Sequence, residues 1–228
     1  MKAPLDAAVA LSETAVGEHP SATFGTAGAV HDRVMGECPV DLVVLAPARL
    51  DEFVNQKLVE AQGRRTLGTL RLGFAVRIGA PRPAIATEAD TRAALLAAPA
   101  IGLADPASGA TTGIFFAKLL GDMGLAERLR PRVRLFPDGT AAVEALARGE
   151  VAVAMGQISE IGPVVGAVLV GPLPDALQLR TVCAAAVAVH AAQPEAARGT
   201  ITYLRSPEMA SAVATAAFDP PADGAARP

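Results

Sequence analysis

The chain has 228 residues, 51% of them hydrophobic and 19% charged, a balance that buries a substantial core and excludes a disordered protein. Its net charge of −3 argues against a nucleic-acid-binding domain, which carries a basic excess. Charges and prolines interrupt the alanine-rich segments, so no run nears the ~20 apolar residues of a membrane span.

In chain order, the pattern predicts a helix over 4–16, with Leu5, Val9 and Leu11 among its apolar positions. A short strand at Ala22-Thr23-Phe24 and a helix over 27–35 follow. The β-branched run Val40 to Leu45 reads as a buried strand. Pro47 then opens a helix over 47–58, because a first helical turn tolerates proline. Leu70 to Val76 is the next strand. Thr87 caps a helix to residue 98, with Glu88 and Asp90 in the first turn, where the helix dipole favours acids. Strand 101–104, helix 111–123 stopped by Gly124, strand 133–136 and helix 140–148 closed by Gly149 continue the alternation. Strands at 151–155, 168–170 and 179–189 and terminal helices over 195–204 and 207–217 complete it. Strands alternating with helices predict an α/β protein with largely parallel sheets.

Some chemistries are excluded early. The sequence lacks Trp and has one Tyr, Tyr203, so stacking platforms for single strands or sugars are not expected. Cys38 and Cys183 form no CxxC or metal spacing and read as buried free thiols. His19, His31 and His190 are not at metal-ligand spacing. There is no P-loop, no dinucleotide fingerprint and no nucleophile elbow.

Two strand-to-helix loops stand out. One is Phe24-Gly25-Thr26-Ala27-Gly28-Ala29, the other Asp105-Pro106-Ala107-Ser108-Gly109-Ala110-Thr111-Thr112-Gly113. Backbone N–H groups at a helix start, with small hydroxyls, hold an anion without Lys or Arg. Ordinary capped turns have the same composition, and that reading stays open. Gln157, in Gln157-Ile158-Ser159-Glu160, could donate from a third loop. If the protein is an enzyme, Asp105, His31 and Glu160 are its acid/base candidates. Each also has a plainer reading: Asp105 shapes a turn before Pro106, His31 lies on a solvated helix face, and Glu160 is a helix-start acid.

Ala22-Thr23-Phe24-Gly25-Thr26-Ala27-Gly28-Ala29, followed by Pro39 to Leu45, resembles the molybdate-type extracellular solute-binding proteins of ABC transporters. Asp105 to Gly109 with Gly113-Ile114 and Lys118-Leu119-Leu120 fits their second lobe. Gly156 to Glu160, Gly171-Pro172-Leu173-Pro174 and Ser206-Pro207-Glu208 fit as well. The resemblance covers nearly the whole chain. It implies a two-lobe, type II periplasmic-binding-protein fold, with lobe one formed by 1–76 plus 185–228 and lobe two by 77–184. Crossover strands are expected near 72–76 and 181–187, and the two Gly/Ser/Thr loops are expected to face each other across the cleft. Family members begin with a strand and a short loop ahead of the first helix. This sequence opens at Met1-Lys2-Ala3-Pro4, already in that helix, so the first strand of lobe one is expected to be missing.

The resemblance also implies ligand contacts. Thr26, Ala27, Ala46 and Pro47 would come from lobe one, and Ser108, Gly109, Thr111 and Gln157 from lobe two. Thr26-Ala27 departs from the paired serines of molybdate binders, which leaves small organic anions open. The expected function is capture of a small anion, an oxyanion or small carboxylate, for an ABC permease. The alternatives are an isomerase of a small unsaturated tricarboxylate, of the aconitate-isomerase kind, and a cytoplasmic sensor on the same fold. No cofactor or metal, no nucleic-acid partner, no membrane insertion and a monomeric state are expected. The resemblance implies a periplasmic location; the chain as written, with no export signal, would be cytoplasmic.

Overall fold

The computed structural model describes residues 21–36, 39–206 and 218–219. The elements in chain order are α1 (Ala27–Met35), β1 (Leu42–Leu45), α2 (Pro47–Asn55), β2 (Arg65–Leu70), β3 (Leu72–Arg77), α3 (Glu88–Ala97), β4 (Ile101–Ala104), α4 (Thr111–Asp122), α5 (Ala126–Leu129), β5 (Val133–Phe136), α6 (Gly139–Ala147), β6 (Val153–Gln157), α7 (Ile158–Ile161), β7 (Ala167–Pro172), β8 (Thr181–Val187), α8 (Pro194–Leu204) and β9 (Phe218–Asp219). The helices expected over 4–16 and 207–217, together with His19 and Cys38, lie outside the described residues. Ala22-Thr23-Phe24, expected as a strand, is coil. No described helix is long and apolar enough to cross a membrane.

Contacts divide the chain into two units. The first takes its described residues from Met1–Phe24, Val30–Leu70 and Thr181–Pro228, and the second comprises Gly25–Ala29 and Arg71–Arg180.

In the first unit the strand order is β1-β8-β2-β9, and every described pairing is antiparallel. Within β8 the apolar run Cys183-Ala184-Ala185-Ala186-Val187 is buried throughout, as suits a strand between two partners. Leu67, Leu70, Cys183, Ala185 and Val187 pack against Ala197, Ile201 and Leu204 of α8. The helix α2 packs on β8, and its Leu50 and Phe53 are fully buried. Pro47 and Pro194 both sit at helix starts, where the missing N–H costs nothing.

In the second unit the order is β5-β4-β6-β3-β7. Period-two alternation gives its sheet two apolar faces. Phe74, Val76, Val153 and Met155 join Leu95, Phe116 and Leu120 in one core, while Ala75 and Ala154 join Val143, Leu146 and Ile161 in another. A side chain as completely buried as Phe74 stabilises by about 1.5–3 kcal/mol. Thr87 and Asp90 form a reciprocal capping box at the start of α3. Gly124, at φ +65°, ends the α4 turn in the left-handed conformation.

The α/β class holds, but the sheets are mixed rather than largely parallel. β4 runs parallel to β5 and β6, whereas β3 pairs antiparallel with β6 and β7. The reason is topological. β6 and β7 run the same way, and β3, which follows β2 after the single residue Arg71, is inserted between them in the opposite sense.

Candidate functional site

Because β4 is parallel to both neighbours, the carboxyl ends of β5, β4 and β6 share one edge. Ala104 is level with Phe136, and Gly102 with Ala154. The amide of Asp105 donates to the Phe136 carbonyl at 2.7 Å, tying two of the emerging turns together. Turns into α4, α6 and α7 therefore gather where open α/β sheets bind their ligands.

The turn into α4 is built from its own polar groups. The Asp105 carboxylate accepts from the Ala107 amide at 2.8 Å, and the Ser108 hydroxyl donates to the Asp105 carbonyl at 2.8 Å. Gly109 takes φ +72°, which reverses the chain ahead of the helix. The residue before α4 is Ala110, which offers no side-chain cap. The first amides of this twelve-residue helix, beginning at the exposed Thr111, are therefore donors that Ala110 does not cap.

The segment Gly25–Ala29 lies on this same turn. The Thr26 hydroxyl donates to the Ser108 carbonyl at 2.8 Å and accepts from the Ala29 amide at 3.1 Å. The amide of Gly28 donates to the Gly109 carbonyl at 3.3 Å. A methyl group on Gly109 would come within 2.9 Å of the Gly28 Cα, so only glycines allow this approach. Thr26, Ser108 and Gly109, drawn from two loops 82 residues apart, are thus brought together, with Ala27 one residue from Thr26.

The turn into α7 holds Gln157 and Glu160. The Glu160 carboxylate accepts from the Gln157 amide at 3.0 Å, and the Gln157 side chain accepts in return from the Glu160 amide. The turn into α6, which sequence reasoning passed over, holds Asp138 and Gly139. The Asp138 carboxylate accepts from the Ala141 amide at 2.8 Å, and a methyl group at Gly139 would come within 2.6 Å of the Glu160 carboxyl carbon. Burial pushes the Glu160 carboxyl above the usual carboxylate range; the Gln157 amide opposes that shift, and the Asp138 carboxylate adds to it.

The remaining candidates lie in the first unit. Ala46 and Pro47 begin α2, with the Ala46 carbonyl accepting from Arg49 and Leu50. Pro47 also lines a cavity of about 210 Å³ with Leu50, Asp51, Arg64, Arg65 and Thr66, in which Arg64 donates to Asp51. His31 stacks on Phe53, centroids 5.5 Å apart, and its Nδ1 is 3.1 Å from the Asp32 carboxylate. Asp105 and Glu160, by contrast, belong to the second unit. No cluster of His, Cys, Asp and Glu suited to a metal occurs among the described residues.

Gln178 was also missed. Its amide NH₂ donates to the Leu72 and Leu173 carbonyls at 3.2 and 3.0 Å, and its carbonyl accepts from the Leu72 amide at 2.6 Å. One side chain thereby fastens the start of β3 to the segment after β7. A lone Gln between Leu177 and Leu179 was the available signal.

A family model described as bacterial extracellular solute-binding protein matches residues 1–218. The chain belongs to that family. Among its relatives is an aconitate isomerase from Pseudomonas sp., 31% identical over 197 residues, which cover 86% of this chain and 73% of that protein. Among solved structures, the Azotobacter vinelandii periplasmic molybdate-binding protein superposes with a TM-score of 0.78 at 15% identity, covering 96% of this chain and 94% of that one. The periplasmic binding protein AfuA of Actinobacillus pleuropneumoniae, with fructose-6-phosphate bound, gives 0.67 at 14% identity over 100% and 84%. These likenesses identify the fold of this solute-binding family member as that of the periplasmic binding proteins.

Proposed function

We propose that this solute-binding protein captures a small anion, an oxyanion or a small carboxylate, and delivers it to an ABC permease from the periplasmic side. One observation carries the reading: the turns into α4, α6 and α7 share one sheet edge, and the Gly25–Ala29 segment lies on the first of them. Thr26, Ala27, Ser108, Gly109, Thr111 and Gln157 are the proposed contacts. The Thr26 and Ser108 hydroxyls already donate to the Ser108 and Asp105 carbonyls and shape the turn, so the donors offered to the anion are the Thr111 hydroxyl, the backbone amides at the start of α4 and the Gln157 side-chain amide, which hold negative charge through fixed dipoles. The thioether, thiol and imidazole groups that a soft metal cation would need are absent from these turns.

A thermal-shift panel of sulfate, phosphate, molybdate, tungstate, citrate and both aconitate isomers tests the reading. An anion at 100 times its Kd stabilises by about 2.7 kcal/mol, a rise of several degrees in melting temperature. Protection by at least one anion, abolished by Thr111→Pro or Gln157→Leu, supports the proposal. Protection by none of them sinks it.

A second reading is an isomerase acting on a small unsaturated tricarboxylate. It is favoured by the 31% identity to the Pseudomonas enzyme and by the half-buried Glu160 carboxyl, pushed above the usual carboxylate range and so suited to moving a proton. Interconversion of cis- and trans-aconitate, followed by proton NMR, separates the two readings. Turnover lost in Glu160→Gln favours the isomerase, and binding without turnover favours the receptor.

A further inference from the structure

We propose that Gln178 is a positioning residue of the anion site, holding Gln157 in place through Leu72. The inference rests on the reading of Gln157 as an anion contact.

Leu72 opens β3, one residue after the chain passes from the first unit to the second between Leu70 and Arg71. On the β6 side it lies opposite Gln157. One step back, the Ile158 amide donates to the Arg71 carbonyl at 3.0 Å. Bonded and unbonded pairs alternate along an antiparallel ladder, so Leu72 and Gln157 form an unbonded pair. In such a pair the side chains stand closer together, and the Leu72 N–H and C=O point away from β6. The amide of Gln157 agrees with this: it turns from β3 to the Glu160 carboxylate at 3.0 Å.

On the other side of Leu72, β7 has ended at Pro172. Leu173 supplies half of one further pair, its amide donating to the Leu72 carbonyl at 3.0 Å. In a complete pair the Leu72 amide would donate to the Leu173 carbonyl. Here the Gln178 carboxamide stands between them. Its Oε1 accepts from the Leu72 amide at 2.6 Å, and its Nε2 donates to the Leu173 carbonyl at 3.0 Å and to the Leu72 carbonyl at 3.2 Å. One side chain thus takes the part of a peptide group in the ladder.

Leu72 is completely buried and Leu173 nearly so. Without the carboxamide, the Leu72 amide and the Leu173 carbonyl either stay unpaired or close over the space it leaves. Either change moves Leu72, and Gln157 is the residue directly across from it. Gln178 is itself fixed by the turn that precedes it, whose buried Leu177 packs in the same core as Leu72 and Leu173. The Gln178 amide donates to the Asp175 carbonyl at 3.3 Å, and Arg180 donates to the Asp175 carboxylate at 2.9 Å.

The test is calorimetry with sulfate, molybdate and trans-aconitate, together with amide hydrogen exchange followed by NMR. Thr87→Ala, which removes the cap of α3 in the same unit, controls for a general loss of stability. Gln178→Leu is expected to weaken each anion that the native protein binds by about tenfold or more, and to speed exchange of the Ile158 amide about as much. Thr87→Ala is expected to leave both within about twofold of native. Gln178→Glu adds a pH profile. Ionised, it sets a second acceptor against the Leu173 carbonyl; protonated, it regains a donor. Facing that carbonyl, its carboxyl titrates above the ordinary range. Its affinity relative to native protein at the same pH therefore recovers as pH falls from 8 to 5.

An affinity in Gln178→Leu within about twofold of native, an equal loss in Thr87→Ala, or unchanged exchange at Ile158 overturns the inference and leaves the anion site standing. Absence of binding by all three anions in the native protein overturns both. Should Gln178→Leu fail to fold, Gln178→Glu decides: a relative affinity that stays constant across the pH range rejects the proposal.

Discussion

The two sheets use the same ingredients to different ends. In the first unit β8 lies between antiparallel partners, so its carboxyl end points away from that of β1, which runs into α2 through Ala46 and Pro47. That turn offers a proline with no N–H and an alanine with no polar side-chain atom. In the second unit three parallel strands deliver their turns to one edge, and those turns carry Asp105, Ser108, Thr111, Asp138, Gln157 and Glu160. The polar groups a strand-to-helix turn presents are therefore not set by topology alone. Parallel neighbours are what gather polar groups, donors and acceptors alike, at one place.

The contrast can be broken most severely at Gly113, in the first turn of α4. A methyl there would come within 2.5 Å of the Ala104 carbonyl oxygen and 2.9 Å of the Asp105 carbonyl carbon. Gly113→Val is expected to cost about 3 kcal/mol or more in urea unfolding and to remove anion protection with it.

The next effect belongs to the other sheet. Burial raises the Cys183 thiol from 9.0 to about 11. Between those values the folded chain keeps a proton that the unfolded chain has released, so stability falls as pH rises through the window. The expected loss is about 2–3 kcal/mol by pH 11. Cys183→Ala removes that slope, and the native thiol is unreactive to Ellman's reagent at pH 8 until the protein is unfolded.

The smallest effect sharpens the comparison directly. Thr26→Val deletes the bonds to the Ser108 carbonyl and the Ala29 amide, at about 1 kcal/mol, and is expected to weaken anion binding at least fivefold. Pro47→Ala costs about 0.5 kcal/mol through the unfolded state, with anion affinity changed less than twofold. Equal losses of affinity in the two variants would erase the distinction between the turns.

Much of the fold was legible because local chemistry announced it. Thr87 with Asp90, Pro47 at a helix start and Gly124 at a helix end each carry their own physical reason. β2 was invisible because Arg65-Thr66-Leu67-Gly68-Thr69-Leu70 lacks a continuous apolar run, and α5 and α7 are each too short, at four residues, to show a period. The sense of β3 could not be read either, since its partners β6 and β7 lie about 80 or more residues away in the chain. For the site, Gly, Ser and Thr composition singled out both donor loops. Phe136-Pro137-Asp138-Gly139 looked like any turn, and its role depends on where Glu160 lands. That is a tertiary fact, carried by a carboxyl pressed onto a glycine in another element.

The chain order of the two units has a consequence for synthesis. Residues 71–180 of the second unit are continuous, so all strands of its sheet have been synthesised before β8 is made. β1 and β2 both depend on β8 for their described pairing and must wait for it with open edges. The later-made half thus finishes first, and the nascent chain carries an unfinished sheet for more than a hundred codons, the interval in which a chaperone has the most to protect.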